Sequence, residues 1–410
     1  MSDEKPTDLD VILWGATSFV GSLTAKFMMG RHGSSGESLK WGMGARSQSK
    51  IDALKAELGP GADEIPVFIG DSHDPAFLAD MVKRTKVVLA TVGPFMQYGK
   101  ELVAACAEAG TDYCDVTGEV PFIHEMIERH HDQAVETGAR LISCCGVDSV
   151  PSDLGVFFLN EEAKARFGEP VTLVNTRIKT FKGAFSGGTV ASLAGIVSEA
   201  RKDRALARVL KDPYALCPAD RRKGPTQPNL NKVEYDHDLD RWLAPFVMAA
   251  INTRIVHASN ARLGYPYSEK FLYDEKMIAK GKTQARALTA GLAGFMVGLS
   301  VKPAKWALDK LVLPKPGEGP SPKEQEEGFF RYILVGKTDS GKTIKAEVTG
   351  DRDPGYGATA KMLGEAAASM AQDISKDALT GGYWTPASAM GMALVERLRA
   401  HSGMTFEIVD

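Results

Sequence analysis

Cysteine is scarce in this chain. There are five in 410 residues, at Cys106, Cys114, Cys144, Cys145 and Cys217, and no two form a C-x-x-C pair. That argues against a thiolate zinc centre and a disulfide framework, and it fits a reducing compartment, so a cytoplasmic protein with no metal site is expected. The polar start, MSDEKPTDLD, is read as lacking a secretory signal. An excess of either charge is also missing. The 49 lysines and arginines nearly balance the 52 aspartates and glutamates, and a net charge of −3 gives no reason to expect nucleic acid as a partner. Long apolar runs are absent too: the uncharged apolar stretch ALTAGLAGFMVGLSV at 287–301 has 15 residues. As a helix it would span ~22 Å, short of the ~30 Å of a bilayer core. The chain is read as having no G-x-S-x-G, H-E-x-x-H or P-loop motif.

What is present is an ordinary globular composition, 44% apolar and 25% charged, in a chain long enough for two domains. Six apolar, β-branched-rich runs punctuate the first 150 residues: 10–14, 39–45, 65–69, 86–92, 112–116 and 141–145. Stretches of helical period such as GKELVAACAEAG lie between them. Strands alternating with helices imply βαβ units, hence an α/β fold with a doubly wound parallel sheet of Rossmann type over 1–150. After Pro151 the rhythm stops. PVTLVNTRIKTF reads as a long strand, and FFRYILVGKT with KTIKAEVTGD reads as a hairpin, so 151–385 is expected to be an α+β substrate or dimerisation domain. Residues 386–410 give a helix and a last strand that pack back on the body.

The first strand runs into GATSFVG, a turn that opens a helix. Dinucleotide sites place three glycines in such a turn, and here the outer two are Gly15 and Gly21 while Ser18 takes the middle. Gly15 permits the tight turn, Gly21 the close helix packing, and a small residue at 18 admits the pyrophosphate, to which the serine hydroxyl can itself hydrogen-bond. Thr17, Phe19 and Val20 complete the loop, and the helix N-terminus supplies N–H groups and a positive dipole end. The position on strand one of six favours a cofactor site. The second strand ends in Arg46, Ser47 and Lys50, with no acid to bind a ribose 2′-hydroxyl. An arginine there suits a 2′-phosphate, so NADP(H) is expected. Thr91, Gly93 and Pro94 end the fourth strand where the nicotinamide half would lie, and Gly118 and Glu119 follow the fifth.

GATSFVG, GPFMQYG, YCDVTGE, CGVDSVPSDLG, FKGAFSGGTVAS, PFVMAAINTRIV and GGYWTPASAMG together resemble the saccharopine dehydrogenase-like oxidoreductases. Within that family they are most similar to the bacterial trans-acting enoyl reductases. The resemblance implies a Rossmann domain, a C-terminal α+β domain, NADPH, and reduction of a C=C bond on a lipid or polyketide intermediate carried by a separate synthase. Family members commonly carry glycine where this chain has Ser18. Enoyl reduction needs a donor for the enolate oxygen and an acid near Cα. Lys182, beside Lys179, Ser186 and a glycine-rich loop, is the candidate donor; Tyr98 and Asp148 are candidate acids, and each also has a packing or capping reading. Two other functions stay open. One is hydride transfer to an imine or carbonyl, for which Arg177 and Arg254 are the candidate carboxylate clamps. The other is a non-enzymatic, lipid-associated Rossmann protein. The 287–301 run is either a buried or homodimer-packed helix, or a surface for membrane, lipid droplet or acyl chain.

Overall fold

The computed structural model describes residues 8–183, 187–300 and 319–409. They form two units, each built on a seven-stranded sheet. The first unit runs through Gly146 and regains the chain from Tyr356 to Ser402, while Val147–Gly355 and the residues from Gly403 make the second.

All six expected strands of the first unit form, as β1 (Leu9–Trp14), β2 (Trp41–Ala45), β3 (Val67–Ile69), β4 (Thr85–Ala90), β5 (Asp112–Asp115) and β6 (Arg140–Ile142). Between them lie α1 (Phe19–His32), α2 (Gln48–Leu58), α3 (Pro75–Val82), α4 (Phe95–Tyr98), α5 (Lys100–Ala109) and α6 (Val120–Thr137). Val11, Ile12 and Leu13 are fully buried, as a parallel strand covered on both faces requires. Gly110 closes α5 at φ +72°, the left-handed position its sequence place predicts. β1 pairs in parallel with both β2 and β4, so the strand order reverses beside it. The crevice at the carboxyl end of such a reversal is where open α/β sheets bind ligands.

The second unit contains α7 (Val150–Phe167), β7 (Val171–Lys182), α8 (Gly187–Lys202), α9 (Arg204–Val209), β8 (Glu234–Asp236), β9 (Arg241–Pro245) and α10 (Ala249–Arg262). It continues with β10 (Leu272–Ala279), α11 (Lys282–Ser300), α12 (Pro322–Glu327), β11 (Phe329–Thr338) and β12 (Thr343–Gly350). β7 is central, parallel to β10 and antiparallel to β11, which makes the sheet mixed. The expected hairpin is β11–β12.

The chain then returns to the first unit through α13 (Thr359–Gln372), β13 (Gly382–Trp384) and α14 (Pro386–His401), and ends in β14 (Met404–Val409) on β12. The complete orders are β13-β6-β5-β4-β1-β2-β3 and β14-β12-β11-β7-β10-β9-β8. An expected second domain of 151–385 and a tail of 386–410 therefore differ from the observed division. The reason is packing. α13 has five alanines and one glycine and lies closely on α1, where a Cβ on Gly364 would come within 2.7 Å of the Phe27 ring. β13 has only three residues, too few to show a strand pattern in sequence.

Candidate active site

The turn between β1 and α1 explains its own composition. Gly15 has φ +89°, and a Cβ there would sit 2.5 Å from Val92 Cγ2. A Cβ on Gly21 would meet the Gly15 carbonyl oxygen at 2.1 Å. Both glycines are required by close approach. Ser18 is the N-cap of α1: its Oγ accepts the Gly21 N–H at 2.9 Å and donates to Thr91 Oγ1 at 3.2 Å. Thr91 in turn donates to the Trp14 and Gly15 carbonyls at 3.2 and 3.0 Å. The hydroxyl that replaces a glycine thus staples the turn to the end of β4. It is engaged within the protein and not presented for a phosphate. The amides of Thr17, Phe19 and Val20 have no acceptor among the described residues, and they sit at the positive end of the 14-residue α1. A cradle that no Cβ could share, with unpaired N–H groups at a helix start, fits a pyrophosphate.

At the end of β2, Arg46 is exposed and has no partner among the described residues. Ser47 caps α2 by accepting the Lys50 N–H at 3.4 Å, and Lys50 is exposed beside it. This charge pattern fits a 2′-phosphate. Gly93 is exposed, and Pro94 begins α4. Gly118 is half-buried in the loop after β5.

Glu119 is already engaged within the protein. It is 2% exposed, and its two carboxylate oxygens accept the Phe95 and Met96 N–H groups, each at 2.9 Å. Both oxygens are spent on shaping the 93–96 loop and the start of α4, beside the expected nicotinamide end. Tyr98 is half-buried with its ring against His73, centroids 5.4 Å apart, and its hydroxyl has no hydrogen bond among the described residues.

A carboxylate that the sequence reading passed over lies below this edge. Asp115, fully buried at the end of β5, accepts from Tyr113 Oη, Ser143 Oγ, Thr117 N and Cys144 N at 2.9–3.2 Å. Burial pushes its carboxyl up to about 7. Ser143 also meets the Tyr383 hydroxyl at 2.5 Å, so the network ties β5, β6 and β13 together. Only the YCDVTGE string hinted at it.

In the second unit Asp148 stands two residues before α7. It is half-buried, with no hydrogen-bond partner among the described residues, and desolvation lifts its carboxyl to about 7. Lys182, the last residue of β7, is 55% exposed along its side chain and faces Glu327 at 3.7 Å. Ser186 lies outside the described residues. The arginines considered as clamps are committed. Arg177 binds Asp236 at 2.6 Å and Asp274 at 2.8 Å, and is 3% exposed. Arg254 borders a cavity of about 430 Å³ with Lys211, Tyr214 and Gln227, yet its guanidinium donates to the Leu210 and Ala250 carbonyls.

GKTDSGKT at 336–343 meets the letter pattern of a P-loop, which corrects the reading that the chain has no such motif. It forms the turn of the β11–β12 hairpin, where Thr338 N donates to the Lys342 carbonyl at 3.0 Å. No helix follows, so the anion site of a P-loop is not built.

Residues 11–142 match the family described as the saccharopine dehydrogenase NADP binding domain. A Mycobacterium tuberculosis protein named for trans-acting enoyl reduction is 40% identical over 408 residues, covering 96% of each chain. A trans-acting enoyl reductase of Mycobacterium ulcerans is 36% identical over 408 residues, covering 95% of this chain and 96% of its own. In fold the chain is similar to the apo form of the glutamate-forming saccharopine dehydrogenase of Saccharomyces cerevisiae, with a TM-score of 0.50, 11% identity, and coverage of 98% and 100%. The cofactor predicted at the β1–α1 turn is therefore the one this domain family binds, NADP(H). With relatives this similar along nearly its full length, the chain belongs to the trans-acting enoyl reductase family and carries a saccharopine dehydrogenase-type NADP-binding domain.

Proposed function

We propose that the protein reduces a carbon–carbon double bond conjugated to a thioester, with NADPH as reductant, on a lipid or polyketide chain presented by a separate synthase. One observation carries this choice over an amino-acid imine. Arg177 and Arg254, the two arginines suited to clamp substrate carboxylates, are held by the protein's own carboxylates and carbonyls. An enoyl thioester brings no carboxylate to clamp. The names of the relatives support both the reaction class and the trans arrangement.

When bound, NADPH supplies the hydride that enters at Cβ. The amides of Thr17, Phe19 and Val20 would hold its pyrophosphate and Arg46 its 2′-phosphate. The protein must then give a proton to Cα and a donor to the thioester oxygen. Asp148 is the proposed proton source, since a carboxyl titrating at about 7 is partly protonated at neutral pH. Tyr98 is the second candidate acid. Lys182 would serve the oxygen only by leaving Glu327, and its exposure makes it the weakest of the three assignments.

The experiment is NADPH oxidation, followed by absorbance, with a long-chain 2-enoyl thioester, an imine-forming pair of keto acid and amine, and a ketone. Turnover with the enoyl thioester alone is expected. Turnover with the imine alone would replace this reading by a saccharopine-type one, and NADPH binding without any turnover would point to a lipid-associated binding protein.

A further inference from the structure

We propose that the outer face of α11 docks on an anionic lipid surface. The inference is independent of the catalytic reading above. α11 has 19 residues, hence a length of ~28 Å. One side of it belongs to the core of its unit: Ala285 is buried under β9, and Leu299 with Phe295 packs on Leu193 and Ala194 of α8. The other side faces solvent, and from Ala287 to Val297 every exposed residue on it is apolar or glycine. Leu288 is 38% exposed and Val297 61%, and the small residues at 287, 290, 291, 293 and 294 are exposed with them. A Cβ added at Gly291 or Gly294 would meet nothing within 4 Å. A surface helix ordinarily turns its polar face to water, and this one reverses the rule. Of the readings of 287–301, a helix buried all round does not hold over 287–297 and a helix packed between copies stays open, while Val301 lies outside the described residues.

Charge selects the occupant. Lys280, Lys282 and Arg286 are exposed at the start of α11, and no aspartate or glutamate occurs in the sequence between Glu275 and Asp309. A second copy laid parallel on this face would bring the basic starts of two helices together. An anionic bilayer meets both features at once: acyl chains receive the apolar face and headgroups pair with the flanking cations. Among the described residues no helix is long and apolar enough to cross a membrane, and the contact proposed is one of lying on the surface.

The test is flotation of the full-length protein with phosphatidylcholine vesicles, with and without phosphatidylglycerol. Binding is expected with the anionic vesicles and at least ~10-fold weaker without them. Lys280→Glu with Arg286→Glu should weaken it by at least about 30-fold, at roughly fivefold for each surface cation removed. Leu288→Asp with Val297→Asp should abolish it, with the melting temperature and NADPH affinity unchanged because both positions are exposed. If the aspartate pair fails to fold, the charge pair, which alters no apolar contact, decides the question. The proposal is overturned if the wild type floats with neither vesicle, or equally with both. It is also overturned if sedimentation shows a dimer that the aspartate pair dissociates, which would make the face an interface between copies.

Discussion

Replacing Ser18 by alanine tests whether the missing glycine of the dinucleotide turn is a cap or a ligand. The substitution removes an acceptor for the Gly21 N–H at 2.9 Å and a donor to Thr91 Oγ1 at 3.2 Å. Loss of a serine N-cap costs about 1 kcal/mol. A net part-buried hydrogen bond is worth about 1 kcal/mol more. Together these raise local opening of the turn by roughly 30-fold, since each 1.4 kcal/mol is a factor of ten. Glycine at 18 should cost less, because its cap loss is only a few tenths of a kcal/mol and the Thr91 bond is the main term. A chain of two units does not unfold in one step, so hydrogen exchange over residues 15–22 is the suitable readout. Exchange should accelerate in Ser18→Ala while NADPH affinity, titrated by fluorescence, changes less than about threefold, because an opened state of small population barely lowers the competent fraction. A tenfold loss of NADPH affinity with unchanged exchange would refute the reasoning and return the hydroxyl to the phosphate.

Four further outcomes follow from the same geometry. Arg46→Ala should remove most of an NADPH-over-NADH preference of at least about tenfold, a paired phosphate being worth roughly 1.5–3 kcal/mol, and equal affinities in the wild type would contradict the 2′-phosphate assignment. Glu119→Gln sets an amide donor against the Met96 N–H, so it should destabilise the 93–96 loop by about 1–3 kcal/mol, seen as faster exchange there. The Asp115 carboxyl, raised from 3.8 to about 7, contributes stability that is present below pH 3.8 and lost as pH rises through 7, because the folded state holds a proton the unfolded state releases. Asp115→Asn should flatten the fall in melting temperature across that window, and an unchanged slope would mean that other groups cause it. If Asp148 is the acid, kcat should decline above about pH 7, and Asp148→Asn should lower kcat by roughly 100-fold and abolish that limb of the profile.

The strand rhythm of the first 150 residues was legible because parallel strands buried on both faces read as short apolar runs, and each of the six forms. Gly15 and Gly21 were legible for a similar reason: their need is local, set by a positive φ and by contact with the next strand. The role of Glu119 was not, since its two amide partners lie 24 and 23 residues earlier in the chain. Nor was the return of 356–402, which depends on small residues of α13 fitting against α1. Arg177 and Arg254 looked available in sequence because their partners, Asp236, Asp274 and the Leu210 carbonyl, are distant in the chain. Only the fold discloses that a cation is already engaged. The apolar run at 287–301 was ambiguous by composition, because a buried helix and an exposed apolar one share the same letters, and only burial separates them.

The central claim is that the protein binds NADPH at the β1–α1 turn and uses it to reduce an enoyl thioester. Its most direct test is the product balance of one reaction, NADPH with a long-chain 2-enoyl thioester and the pure protein. Stoichiometric conversion to the saturated thioester as NADPH is oxidised, lost in a variant carrying valine at Gly15, is the predicted result. NADPH bound tightly at that turn but left unoxidised, with the alkene recovered intact, would contradict the account.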